Sequence, residues 1–114
     1  MNTFIQKKKA RWTSKQETFV VQPKILIYVL GEPFEADDYK VSGEYYFYDE
    51  DGNEITLYDW KSTSLYDDTL LSPKEFWESD SIYEFSIGAE DKPQAKKFKE
   101  WLITKLVNHL KISI

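Results

Sequence analysis

The sequence predicts an α+β domain: an antiparallel sheet of about four to five strands with one C-terminal helix packed on one face. Three observations carry this. A pair of alternating segments flanks Asp49-Glu50-Asp51-Gly52-Asn53, a run rich in residues that tolerate positive φ. A capped amphipathic pattern follows Asp91. The length of 114 residues, with 41% hydrophobic and 17% aromatic residues, suits one domain (1–114) with one core.

Along the chain, residues 1–15 read as a basic N-terminal extension and Thr18–Val21 as a short strand. Lys24–Leu30 (KILIYVL) is β-rich and apolar on both faces, which predicts a central strand ended by Gly31, Glu32 and Pro33. Lys40–Asp49 and Glu54–Lys61 form the expected hairpin. Val41, Gly43, Tyr45 and Phe47 share one face, and Ser42, Glu44, Tyr46 and Tyr48 the other. Residues 62–80 read as a polar loop with a helical turn at Lys74–Glu78, and Ser81–Ile87 as the last strand. For the final helix, Asp91 is the expected N-cap, Pro93 lies in the first turn, and Gln94 completes a capping box. Ala95, Phe98, Leu102, Leu106 and Leu110 form its apolar stripe.

Charge is segregated. Residues 1–24 carry six Lys/Arg against one acid, a net of +5; residues 25–91 carry three lysines against eighteen acids, −15; residues 92–114 carry six lysines against one acid, +5. Blocks of one sign select partners and steer association. An overall charge of −5 argues against direct nucleic-acid binding, despite the basic run Lys7–Arg11.

Several chemistries lack their residues. The chain has no cysteine, so thiolate zinc sites, disulfides and a cysteine nucleophile are excluded. His109 is the only histidine and is expected to interact with the helix end, not to ligate a metal. Asp49–Glu54 has strand flanks and the wrong spacing for a calcium loop. No phosphate-cradling glycine loop or nucleophile elbow is present, and Asp37/Asp38 and Asp67/Asp68 read as solvated pairs. These points predict a protein that is not an enzyme and needs no cofactor or metal. The longest apolar run, Ile25–Leu30, is too short to cross a membrane, and the expected location is the cytoplasm.

The candidate binding residues are Tyr46, Tyr48, Tyr58, Trp60, Lys61, Ser62, Thr63 and Tyr66. On the expected hairpin the first four point away from the helix and form an aromatic patch near Glu44 and Glu54. The segment Tyr58–Tyr66 leaves a strand for a loop, where rings, a lysine and hydroxyls can meet a ligand. The alternative reading is that Tyr58 and Trp60 pack the sheet and Ser62 and Thr63 make the turn.

The segments Glu35–Tyr66 and Ser81–Asp91, with the following lysine-rich helix, resemble small uncharacterised accessory proteins of tailed bacteriophages. The features are Asp38-Tyr39-Lys40, Tyr58-Asp59-Trp60-Lys61 and the Ile87-Gly88 step before the helix. The resemblance implies a non-catalytic inhibitor of a host or defence protein. With the charge pattern, it predicts docking of an acidic, aromatic-rich surface on a basic one. A second expectation is sequestration of a nucleotide-type signal by Trp60, Lys61, Ser62, Thr63 and Tyr66, helped by Lys96, Lys97 and Lys99, at a site between the subunits of a homo-oligomer. A third is a minor virion component.

Overall fold

The computed structural model describes residues 4–7 and 13–112. In chain order the elements are β1 (Ile5–Lys7), β2 (Ser14–Val21), α1 (Pro23–Leu30), β3 (Phe34–Asp38), β4 (Val41–Tyr48), β5 (Glu54–Asp59), α2 (Pro73–Trp77), β6 (Tyr83–Ala89) and α3 (Lys92–Ile112). The described strands form one antiparallel sheet of order β1-β4-β5-β6-β2. β3 pairs with β4 along the same margin as β1.

The hairpin forms where the alternation places it, with Tyr45 opposite Leu57 and Phe47 opposite Ile55. Its turn is closed by Asp49, whose Oδ1 accepts the N–H groups of Asp51 and Asn53, both at 2.9 Å. Gly52 takes φ of 82° there, a value glycine adopts without steric cost.

All three helices contribute to one core on the same face of the sheet. Tyr45, Phe47, Ile55, Leu57, Phe85 and Ile87 are fully buried beneath Ala95, Phe98, Leu102 and Leu106 of α3 and Leu26, Phe76 and Trp77 of the short helices. α3 therefore packs on the sheet through the stripe read from sequence, except that Leu110 is 43% exposed. Its start is capped by Asp91, whose Oδ1 accepts the Gln94 N–H at 2.9 Å. The Gln94 side chain reaches back one residue further than a standard capping box, to the N–H of Glu90.

Two expectations are corrected. Lys24–Leu30 is not a central strand but lies in helix α1. Pro23 opens that helix, where its missing N–H costs nothing, and Gly31 closes it at φ 87° with its N–H on the Ile27 carbonyl. Leu26 and Leu30, four apart, face the core while Tyr28 is 63% exposed, a helical and not an alternating pattern. The second correction concerns residues 1–15. Ile5–Lys7 pair with Tyr46–Tyr48, Ser14 and Lys15 belong to β2, and Phe4 is buried against Phe98 and Trp101. Lys8, Lys9 and Arg11 lie outside the described residues. β3 adds a strand that its sequence, Phe-Glu-Ala-Asp-Asp, does not announce; pairing with β4 imposes it. His109, near the C-terminal end of α3, meets the ring of Tyr28 edge-on at 5.4 Å.

Among the described residues no helix is long and apolar enough to cross a membrane.

Candidate functional site

The expected row of four outward aromatics does not form. Tyr46 stands opposite Thr56 and Tyr48 opposite Glu54, while Tyr58 stands opposite Glu44. Thr56 is buried and hydrogen-bonds Thr13 Oγ1 at 2.7 Å, so the middle of this face carries chain and not rings. Gly88 makes that approach possible, because a Cβ there would lie 2.1 Å from Thr13 Oγ1. Tyr46 instead packs on Phe34 at 5.7 Å and donates its hydroxyl to Glu44. Burial, with the Glu44 bond and charge, pushes the Tyr46 phenol pKa up. Tyr48 lies beneath Lys7, which also pairs with Glu54 at 2.9 Å.

A second group gathers where β5 ends. Trp60 leaves the strand and meets the buried Tyr58 edge-on at 6.3 Å. Lys61 Nζ lies 5.6 Å from the Trp60 ring centroid and 5.2 Å from that of Tyr66. Tyr66 stacks on Tyr39 at 6.2 Å with the planes 9° apart. Lys40 Nζ closes the ring, 5.3 Å from Tyr39 and 5.7 Å from Trp60. Tyr39, Trp60 and Tyr66 are 59, 42 and 44% exposed. Two of the three lysines in the −15 segment thus converge on three exposed rings.

Two backbone features hold this group. Lys61 has φ of 55°, the one positive value at a non-glycine among the described residues, and its N–H donates to the Lys40 carbonyl at 2.7 Å. A lysine in that region is strained, and strain of this kind collects at functional positions. Beside it, Asp59 is fully buried. Its Oδ1 accepts the N–H groups of Ser42 and Gly43, and its Oδ2 the Ser42 hydroxyl, at 2.8–2.9 Å. Ser42 Oγ in turn accepts the Trp77 indole N–H at 3.0 Å. Burial raises the Asp59 pKa despite the hydrogen bonds that oppose it.

Of the residues expected to bind, Trp60, Lys61 and Tyr66 come together, with Tyr58 as a buried edge. Ser62 Oγ is turned to the Trp60 carbonyl at 3.1 Å. Thr63 is buried and its hydroxyl accepts the Leu65 N–H at 3.4 Å. Both shape the turn. Tyr46 and Tyr48 belong to the separate Phe34–Lys7 side. Lys99 lies beside Glu17 of β2, on the opposite margin from β3. Sequence reasoning missed Tyr39 and Lys40. The available signal was Tyr-Lys following an acidic pair at a turn, but only the β3–β4 pairing carries them to Trp60.

No family model matches the chain, and no curated protein does. Among the described residues, no group of three or more His, Asp or Glu side chains is placed to hold a metal ion.

Proposed function

We propose that this chain is a non-catalytic binding protein that docks on a protein with a basic surface through Tyr39, Trp60 and Tyr66, in the manner of a phage-type inhibitor of a host or defence protein. The observation that carries this reading is that three large rings stay exposed while neighbouring lysines and a strained backbone turn fix their geometry. Exposed aromatics that need no ordering on binding are what interface hot spots are made of. Acids flank them along the chain: Asp37 and Asp38 before Tyr39, Asp67 and Asp68 after Tyr66. Pull-down from a bacterial lysate at low and high salt tests it. Capture should weaken as salt rises, and both Trp60→Ala and Tyr39→Ala should abolish it without lowering Tm appreciably. Capture indifferent to salt and to both substitutions would refute the reading.

One observation favours sequestration of a nucleotide-type anion instead: Lys40 and Lys61 both stand over Trp60, so a cationic pair accompanies a stacking ring. A nucleotide that raises Tm in wild type but not in Lys61→Ala would favour this reading over the first.

A further inference from the structure

Between β2 and the C-terminal half of α3 runs an apolar groove of about 330 Å³. Phe19, Val20 and Val21 line one wall, and Ile103, Val107 and Leu110 the other. Val20 is 62% exposed. β2 pairs with β6 on one side only, and no described strand pairs with its other side. Its outer margin therefore offers main-chain groups to an added strand. The register shift between Lys15 and Glu17 is confined to one end, and Thr18–Val21 are regular and uncharged.

α3 gives the groove a polarity. Lys92, Lys96, Lys99, Ile103, Val107 and Leu110 recur at spacings of three and four and so form one stripe. Lys99 Nζ lies 3.7 Å from Glu17 Oε1. The Thr18 N–H, with the charges of Lys99, Lys96 and Lys92, holds the Glu17 carboxyl below its ordinary range. β2 and α3 thus run side by side in the same direction. The Glu17 end of the strand faces lysines, and the Thr18–Val21 end faces aliphatic side chains. A single acid against three lysines leaves that end with an excess of positive charge.

We propose that the β2–α3 groove receives an extended acidic–apolar segment of a partner protein, which adds to β2 as an antiparallel strand. Its apolar side chains fill the groove, and its carboxylates meet Lys92 and Lys96. The antiparallel sense follows from the sheet, in which every described pairing is antiparallel. In strand addition, main-chain bonds supply affinity and alternate side chains supply specificity. Charge complementarity selects an acidic partner over a second copy. Another β2 brings Lys15 with Glu17 and no net charge, and it brings a second lysine stripe. This surface is separate from the Trp60 group and does not depend on its role.

The test uses the full chain and a blocked, dye-labelled peptide of about ten residues, long enough for one strand. Valine alternates in its N-terminal half and glutamate in its C-terminal half; a control carries lysine in place of glutamate. By fluorescence anisotropy the glutamate peptide should bind about tenfold more tightly, with the preference shrinking at high salt. Amide shifts in NMR spectra should concentrate on Thr18–Val21. Ile103→Glu and Lys96→Glu, both at exposed positions, should each weaken binding about fivefold or more at unchanged Tm, whereas Trp60→Ala should not. Equal binding of the two peptides, shifts remote from β2, or a concentration-dependent dimer that protects the same amides would overturn the proposal.

Discussion

The backbone N–H of Lys61 donates to the carbonyl oxygen of Lys40 at 2.7 Å, while Lys61 itself sits at φ 55°. One hydrogen bond therefore ties the two lysines that stand over Trp60, and a residue with a Cβ accepts a left-handed conformation to make it. Lys61→Gly removes that cost and should raise stability by up to about 1 kcal/mol. It also removes the ammonium over Trp60 and Tyr66, so partner or ligand binding should fall. Urea unfolding alongside the pull-down checks both directions.

Trp60→Ala should cost less than about 1.5 kcal/mol of folding stability, because the ring is 42% exposed and leaves the sheet before it packs. A loss of about 3–5 kcal/mol, as for a core Trp, would make Trp60 structural and move the docking surface elsewhere.

Phe4→Ala should destabilise by about 3 kcal/mol or more, since the ring is buried and touches Phe98 at 5.3 Å and Trp101 at 5.5 Å. Truncation before Lys7 should do at least as much, measured by thermal unfolding. A truncated chain with wild-type Tm would contradict the placement of β1.

Asp59→Ala orphans the buried N–H groups of Ser42 and Gly43 and should cost about 2–4 kcal/mol. Asp59→Asn keeps an oxygen for both donors and can donate to Ser42 Oγ, so it should cost about 1 kcal/mol. The two also separate by pH. Burial raises the Asp59 pKa above the ordinary 3.8, so the folded state holds this proton more tightly than the unfolded state does. Wild type should therefore gain stability relative to Asp59→Asn as pH falls through the raised folded value, and the gain should be complete below the unfolded value. The lowered carboxyls of Glu17 and Asp49 oppose this in both proteins and cancel in the difference.

Gly88→Ala should destabilise by about 1–3 kcal/mol, because the new methyl meets Thr13 Oγ1 and the Thr56 oxygen 2.4 Å away. Adding Thr13→Ala and Thr56→Ala should recover part of the loss, read by denaturant titration.

Local signals were enough for the hairpin and for α3. Gly52 and Asn53 mark the turn, and Asp91 with Gln94 marks the helix start. Lys24–Leu30 misleads because its β-branched residues and two apolar faces fit either element; Pro23 and Gly31 at its ends were the deciding marks. β3 and Phe4 owe their states to partners far along the chain, which propensity does not register. The same holds for the Trp60 group. Trp60, Lys61 and Tyr66 are neighbours in sequence, whereas Tyr39 and Lys40 join them only because Asp38 pairs with Val41 and Lys40 accepts the Lys61 N–H.

The strand order has a consequence for synthesis on the ribosome. β4, β5 and β6 form a meander of successive neighbours, but β2 has no seat until β6 has emerged, since Phe19 pairs with Phe85. Phe4 waits longer, for Phe98 and Trp101 of α3. Translation releases the earliest strands long before their partners, so these apolar residues stay uncovered while the rest is made. The covering of Phe4 therefore comes last, after the helix is released, when the longest loop closure of the chain is completed.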